Sequence, residues 1–327
     1  MTMKVALMAI CMLLIVCVFG AEGSIAEKIK AAERGSAEAQ YELASCYAEG
    51  DGVDTNAAEA VKWCQKAAGQ GFAKAQGQLG RCYEYGWGVS QDDAESVKWY
   101  RKAAEQGDAW AQCRLGMCYD FGRGVPQDKA EATKWYRKAA DQGNVMAQYE
   151  LGEMYWHGFG VAEDKPEAIK WYLKVAEKDD KEPSAEDATS MLAWEAQHRL
   201  GDCYRLGNGV SQDKSEAVKW YRRAAERGWP DAQLSLAMCY ATGSGVETNM
   251  VEATKWLSKA AEDCVWGDCV WGILKKGLNW DVAEAQDVAE VPASRREFDY
   301  ELAFFVSLCC FLGVFLGLIK CQWKSRG

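Results

Sequence analysis

The chain has 327 residues and is acidic, because 48 Asp and Glu outnumber 38 Lys and Arg and give a formal net charge of −10. This balance argues against nucleic acid as a partner, since phosphates demand a basic face, and it favours a basic or neutral partner. The chain has two histidines, His157 and His198, and neither has a zinc-ligand motif beside it. We therefore expect no metal and no cofactor.

Residues 1–20 are typical of a secretory signal peptide. Lys4 supplies the positive start, and Val5 to Phe19 form an apolar run of 15 residues. Gly20 follows this run, and we place the cut after it. The alternative is an uncleaved anchor, although a membrane span needs about 20 residues. The sequence therefore predicts a cleaved signal peptide at 1–20.

A repeated unit of 36 residues follows the signal peptide. A Lys-Trp dipeptide recurs at intervals of 36, 36, 36, 49 and 36 residues. Its tryptophans are Trp63, Trp99, Trp135, Trp171, Trp220 and Trp256. A Gly-x-Gly-Val loop keeps the same period, beginning at Gly50, Gly86, Gly122, Gly158, Gly207 and Gly243. Fixed periods of about 20–50 residues indicate a solenoid, in which each unit buries its apolar face against its neighbours.

Each unit is predicted to fold as two helices, and the third copy shows why. The residues of Ala111 to Tyr119 that recur in nearly all units cluster on one half of a helical wheel, which is typical of an amphipathic helix. Gly122 is expected to end this helix, because glycine accepts the left-handed conformation. The second helix is predicted to begin at Asp128, to pack Trp135 among small alanines and to close at Gly143.

A carboxylate or amide stands at the predicted start of every second helix, and a glutamate follows three residues later. The first members are Asn56, Asp92, Asp128, Asp164, Asp213 and Asn249. The pattern predicts a capping box, in which the first side chain accepts from backbone N–H groups and the glutamate reaches back to the cap. The strict position at a helix start favours this structural interpretation over six metal sites.

Five of the 14 cysteines occupy one repeat position, just before a tyrosine. They are Cys46, Cys82, Cys118, Cys203 and Cys239, and Met154 replaces the sixth. A position filled by either Cys or Met indicates an adaptable apolar slot. A disulfide from Cys46 to Cys64 within the first repeat stays open as an alternative, and in an oxidising compartment Cys264 with Cys269 is the more favoured pair.

The stretch from Ala111 to Ala140, AQCRLGMCYDFGRGVPQDKAEATKWYRKAA, closely resembles the Sel-1-like repeat of the tetratricopeptide superfamily. The resemblance extends over about residues 25–262, with Ile25 to Glu33 resembling a truncated helix that caps the start. It implies an all-α fold, a right-handed α-solenoid of about six helix-turn-helix repeats. It also implies that the first helices line a concave surface and that the protein is an interaction adaptor.

Binding information is expected where the repeats differ, on the variable face of the first helices. In the second to fourth units this face carries aromatic and methionine side chains beside arginine, which is typical of interaction hot spots. The predicted partner-binding residues are Arg81, Tyr85, Trp110, Arg114, Met117, Phe121, Met146 and His157. The alternative is that these side chains are partly buried against neighbouring helices. The expected partner is a protein or peptide.

The region after the repeats carries a predicted membrane span. Leu302 to Ile319 contains 18 residues without a charge, long enough for a membrane helix at 302–319, and the tail at 320–327 is basic. We expect an insertion at about 178–190 and a capping or linker segment at 263–300. Gly313 and Gly317 would allow helix dimerisation, although glycine is common in membrane helices.

These features predict a single-pass membrane scaffold with its repeats in a lumen, periplasm or extracellular space and its C-terminus in the cytosol. We predict no enzyme activity and no catalytic residues, because no nucleophile elbow, phosphate-binding loop or metalloprotease helix occurs. The alternative is a hydrolase of the β-lactamase type, as suggested for some cysteine-rich bacterial relatives. Those relatives carry a cysteine pair in each repeat that this sequence lacks.

Overall fold

The computed structural model describes residues 25–180 and 188–263. The predicted signal peptide at 1–20, the linker after 263, the span at 302–319 with Gly313 and Gly317, the basic tail at 320–327 and the Cys264–Cys269 pair lie outside the described residues. Within the two described ranges, each helix falls short of the length or the apolar character that a membrane span requires.

The described residues form thirteen α-helices and no strand, which confirms the predicted all-α helical solenoid. Helix α1 spans residues 25–33. The others are Ala37–Glu49 (α2), Ala57–Gly69 (α3), Ala73–Tyr85 (α4), Asp93–Glu105 (α5), Ala109–Phe121 (α6), Lys129–Asp141 (α7), Val145–His157 (α8), Lys165–Ala176 (α9), Ala188–Leu206 (α10), Lys214–Glu226 (α11), Pro230–Thr242 (α12) and Met250–Asp263 (α13). Along the sequence, α2 to α13 alternate as the first and second helices of six repeats.

The helices fall into two compact units, which divide between Asp164 and Lys165. In the first unit, α5 packs against α4 of its own repeat and against α6 of the next. In the second unit, α11 packs in the same way between α10 and α12. Each repeat therefore buries its apolar face against its neighbours, as expected for a solenoid.

The core of repeats two to five contains a leucine on the first helix and a tyrosine on the second. Leu115 and Tyr136 have no exposed surface. The tyrosine ring lies directly on a glycine of the first helix, because a Cβ on Gly116 would lie 2.7 Å from Cδ1 of Tyr136. The recurrent glycine in the first helix is therefore required by this close approach.

The Gly-x-Gly-Val loops join the two helices of a repeat and also touch the preceding repeat. Gly122 caps α6 with a φ of 70°, and its N–H donates to the carbonyl of Cys118, as predicted. Gly124 has a φ of +68°, and a Cβ on it would lie 2.2 Å from the carbonyl oxygen of Asp93 on α5. The second glycine is therefore needed for its conformation and for contact with the neighbouring repeat.

The predicted capping box is half correct. Asp128 Oδ1 accepts from the backbone N–H of Glu131 at 2.9 Å, and four further copies make the same bond. The reach of the glutamate back to the cap was wrong, because the Asp128 N–H donates instead to the carbonyl of Tyr119 at 2.9 Å. That carbonyl lies in the last turn of α6, where it lacks a partner within its helix. The Glu131 carboxylate pairs with Lys134 at 2.8 Å.

The repeated cysteine position is an apolar slot, as predicted. Cys46, Cys82, Cys118, Cys203 and Cys239 are all buried and form no disulfide within the described residues. Burial raises the pKa of the Cys118 thiol to about 12. Cys46 and Cys64 are both free, so the disulfide left open between them is not formed.

Glutamines connect successive repeats through buried hydrogen bonds. Gln112 on α6 donates to the carbonyl of Ala104 at the end of α5 at 3.0 Å. Its own side-chain oxygen accepts from Gln142 of the same repeat at 2.8 Å. The same arrangement recurs one repeat earlier with Gln76 and Gln106. These bonds satisfy polar groups that burial would otherwise leave unpaired.

The insertion lengthens one first helix. A 3₁₀ helix at Glu177–Asp180 follows α9, and α10 has 19 residues where the other first helices have 13. Residues 181–187 of the predicted insertion at about 178–190 lie outside the described residues.

Candidate partner-binding surface

Arg114 on α6 joins the first helix of repeat three to that of repeat two. Its Nη2 donates to a carboxylate oxygen of Glu84 on α4 and, at 2.9 Å, to the hydroxyl of Tyr85. Its Nη1 lies 3.6 Å from Sδ of Met117 on the same helix. The side chains of Arg114 and Glu84 are 13% and 10% exposed, so the ion pair is largely removed from water. Helices α4 and α6 therefore lie side by side and present a common face.

Glu84 also holds two other groups. Its Oε2 accepts a 2.6 Å hydrogen bond from the hydroxyl of Tyr100 on α5, and its Oε1 lies 3.9 Å from Nη1 of Arg123. Burial raises the pKa of Tyr100, and the hydrogen bond to Glu84 raises it further. Burial acts to lower the pKa of Arg114, but the hydrogen bond to Glu84 and the charge interactions with Tyr100 and Glu84 together outweigh it, and the pKa rises. The Arg114 guanidinium is therefore charged, and Glu84 is its partner.

Several of the predicted site residues are exposed rings. Tyr85 is 64% exposed, Phe121 is 55% exposed and Trp110 is 39% exposed. Arg81 and His157 are also exposed, whereas Arg114, Met117 and Met146 are half-buried. The Trp110 ring meets Tyr100 edge-on with centroids 5.6 Å apart. Tyr85 and Phe121 thus face solvent, while Trp110 is partly packed against a neighbouring helix.

A second row of exposed side chains comes from the residue between the two loop glycines. Trp87, Arg123 and Phe159 occupy this position in repeats two to four, two residues after Tyr85, Phe121 and His157, which end the first helices. We call these six residues the aromatic rim. Trp87, Arg123 and Phe159 were not among the predicted site residues, because only the first helices were expected to carry binding residues. The sequence does mark this position, because the residue differs from repeat to repeat while the glycines on either side of it are the same in all six repeats.

Cations lie against the rings of this row. The Arg123 guanidinium is 5.5 Å from the Phe121 ring centroid, and Lys129 Nζ is 5.0 Å from that of Phe159. The His157 ring stacks on Phe159 at 5.2 Å, and its Nε2 lies 3.4 Å from a Glu153 oxygen. Cations over aromatic faces are attracted by the ring quadrupole. These contacts give the exposed rings defined positions.

The carboxylates below the rim are buried. Asp120 is 4% exposed, and its carboxylate accepts from Lys129 and, at 3.5 Å, from the hydroxyl of Tyr136. Glu84 occupies the equivalent place one repeat earlier, beneath Arg114 and Tyr100. Asp120 and Glu84 therefore lie beneath the exposed Arg123 and the exposed rings.

The equivalent positions of the second unit are less aromatic. Leu206, Asn208, Thr242 and Ser244 occupy them in repeats five and six, and Leu206 is 49% exposed. His198 lies on the adjoining first-helix face, with Nε2 3.0 Å from Oγ of Ser235. No cluster of three or more metal-ligating side chains occurs within residues 25–180 and 188–263.

Comparison with known proteins identifies the repeat and the fold. The family model described as Sel1 repeat matches residues 37–72, 73–108, 111–144, 145–180, 194–229 and 230–263. The chain is 35% identical to the crystal structure of a Sel1 repeat protein from Oxalobacter formigenes, with a TM-score of 0.61. That match covers 77% of this chain and 96% of the other. No curated protein matches the chain.

A second solved structure is a protective antigen present in uropathogenic Escherichia coli strains, which displays an SLR fold. It is 34% identical, with a TM-score of 0.69 over 80% of this chain. The match covers 52% of the antigen, so this chain spans about half the length of that protein.

Proposed function

Because the chain belongs to the Sel1 repeat family, whose members generally act as protein–protein interaction scaffolds, we propose that it binds a protein partner through the first helices of repeats two to four. The observation that carries this proposal is the position of its exposed rings. In the described part of the first unit, the exposed large hydrophobic residues are Tyr85, Trp87, Trp110, Phe121 and Phe159. All five lie in three consecutive repeats and on neighbouring first helices or the loops that follow them. Grouped exposed aromatic side chains are typical of interaction surfaces.

The eight predicted residues divide into contact and support roles. Tyr85, Trp110 and Phe121 are exposed and supply the apolar contact area, with Arg81 and His157 at the margins. The other three, Arg114, Met117 and Met146, are partly buried. Arg114 holds Tyr85 by a hydrogen bond and lies 5.9 Å from the Trp110 ring centroid. Tryptophan, tyrosine and arginine are the usual hot spots of a protein interface.

We further propose that this scaffold is tethered to a membrane by residues 302–319, with its repeats outside the cytosol and the tail at 320–327 inside. The uncharged run of 18 residues and the basic residues that follow support this arrangement. A pairing of spans through Gly313 and Gly317 would make it a homodimer. Carbonate extraction tests the tether, because a spanning protein stays in the pellet and release of the intact protein contradicts the proposal.

Partner capture by chemical crosslinking and mass spectrometry tests the binding surface. We expect Trp110→Ala with Phe121→Ala to abolish capture of a specific partner that the unaltered protein retains. Leu206→Ala is the matched control, because Leu206 occupies the position of Phe121 in repeat five and is similarly exposed. Circular dichroism verifies that each variant is folded. Capture that survives the double substitution, or that fails equally with Leu206→Ala, removes this surface from consideration.

A further inference from the structure

We infer that the aromatic rim binds an extended segment of the partner that is both acidic and apolar. This inference rests on the proposed function and adds the chemistry of the partner. The rim consists of Tyr85, Trp87, Phe121, Arg123, His157 and Phe159, two residues from each of three consecutive repeats. Five of these six are aromatic or histidine, and Tyr85, Trp87, Phe121 and Phe159 are exposed by 64%, 37%, 55% and 45%.

The cations at the rim are more exposed than the carboxylates beneath them, which favours an acidic partner. The Arg123 side chain is 56% exposed and that of Lys129 is 35% exposed, whereas Glu84 and Asp120 beneath them are 10% and 5% exposed. A segment lying on the rim therefore meets cations before carboxylates. Arg123 and Lys129 thus expose positive charge on a chain whose formal net charge is −10.

Arg123 is the cation best placed to receive a carboxylate. The single carboxylate within ion-pair distance of it in the described residues is Glu84, which Arg114 and Tyr100 already share. Arg123 lies 3.9 Å from that oxygen and carries its guanidinium against the exposed Phe121 ring. A partner carboxylate would complete the pairing of Arg123, and an apolar side chain beside that carboxylate would cover Phe121. Guanidinium and carboxylate pair well because their donors and acceptors match in geometry.

The spacing of the rim matches the repeat of an extended segment lying across it. Successive first helices in the first unit are neighbours, as the Arg114–Glu84 pair requires, and packed helices lie about 8–10 Å apart. An extended polyproline-II-type segment repeats its face every three residues over about 9 Å. Apolar side chains three residues apart would therefore meet the rings of successive repeats, with acidic residues between them.

Three fluorescein-labelled peptides of twelve residues test the inference with the full-length protein in detergent micelles. All three carry Phe or Leu at every third position, and the remaining positions are mainly Asp and Glu, mainly Asn and Gln, or mainly Lys and Arg. Fluorescence anisotropy should show the acidic peptide binding at least about tenfold more tightly than the neutral one, with an affinity that falls as salt rises. Equal or tighter binding of the neutral or basic peptide, or no binding by any of them, overturns the inference.

Two substitutions locate the binding. Arg123→Glu should weaken the acidic peptide by at least about tenfold, while Lys134→Glu, at a similarly exposed cation on the second helix α7, should leave its affinity unchanged. Phe121→Ala should also weaken the binding of the acidic peptide, and Leu206→Ala should not. If Arg123→Glu has no effect while partner capture still depends on Trp110 and Phe121, the chemistry assigned to the rim is wrong and the scaffold function stands. If Arg123→Glu leaves peptide affinity unchanged and partner capture does not depend on Trp110 and Phe121, both proposals are wrong.

Discussion

The hydroxyl of Tyr100 on α5 donates a 2.6 Å hydrogen bond to Oε2 of Glu84 on α4. The carboxylate that pairs with Arg114 of the next repeat is therefore fixed from within its own repeat. One network, running from Tyr100 through Glu84 and Arg114 to Tyr85, connects α5, α4 and α6. A related contact recurs in repeat five, where the hydroxyl of Tyr221 donates to Asp202 at 2.6 Å. The buried tyrosine of the second helix thus orders the polar residues that support the exposed rings.

Removing the carboxylate of this network should destabilise the protein. Glu84→Ala leaves Arg114 charged and largely buried without its partner, and we expect a loss of about 3 kcal/mol in the free energy of unfolding, measured by urea titration. Glu84→Ala combined with Arg114→Ala should lose less than Glu84→Ala alone, because no unpaired charge then remains. Glu95→Ala is the control, since Glu95 pairs with the fully exposed Lys98, and it should cause no measurable loss. A double variant less stable than Glu84→Ala would contradict this account.

The loop glycines should differ in their tolerance of a side chain. Gly124→Ala combines a φ of +68° with a Cβ that would lie 2.2 Å from the Asp93 carbonyl oxygen. We expect it to cost more than about 2 kcal/mol, because both the conformation and the contact with the preceding repeat are disturbed. Gly107→Ala has a φ of +91° with nothing within 4 Å, so it should cost about 1 kcal/mol. Equal losses in thermal or urea unfolding would show that the contact with Asp93 does not matter.

Short-range patterns predicted the fold well. Gly122 and Asp128 each act on backbone groups within four residues, so their capping roles could be inferred from the sequence. The error concerned Glu131, whose expected backbone partner is instead bonded to the carbonyl of Tyr119, nine residues before Asp128. The Tyr119 carbonyl competes with the Glu131 carboxylate for the Asp128 N–H, and it can do so only because the loop folds back on α6. The residue pattern at a helix start does not predict how the loop folds.

The candidate site was predictable in part. The position of Tyr85 and Phe121 on the variable face correctly placed them in solvent. The pairing of Arg114 was missed, because Glu84 lies 30 residues earlier and the two meet only when neighbouring repeats stack. Trp87 and Phe159 were not predicted, because they lie between glycines whose recurrence indicates a turn. Their exposure depends on how the loop folds back on the preceding repeat, which the sequence pattern alone does not contain.

The glutamine contacts between repeats should contribute to stability. Gln112→Leu removes the acceptor of Gln142 and the donor to the Ala104 carbonyl while keeping most of the side-chain volume. We expect a loss of about 1–2 kcal/mol in the free energy of unfolding, because a buried polar group loses its partner. Gln91→Leu, at an exposed loop position, is the control and should change stability by less than about 0.5 kcal/mol. Equal stability of the two variants would mean that the buried bond contributes nothing.

Alkaline pH should unfold the protein cooperatively because its thiols are buried. Burial raises the pKa of Cys64, Cys113 and Cys118 from an ordinary value of 9.0 to about 12, and that of Cys82 to about 11. Above pH 9 the unfolded chain releases these protons and the folded chain retains them, so stability falls as pH rises from about 9 towards 12. Each thiol contributes a slope of about 1.4 kcal/mol per pH unit. Below pH 9 this contribution is constant.

One substitution isolates the contribution of a single thiol. Cys118→Met places at this position the residue that fills it in repeat four, Met154, which is itself buried. Urea midpoints measured from pH 7 to 11 should stay flat to about pH 9 in both proteins and then fall less steeply in the variant, by about one proton. Because the comparison uses slopes, a change in packing at pH 7 does not affect it. An unchanged slope in Cys118→Met would show that this thiol ionises as readily in the folded protein as in the unfolded chain.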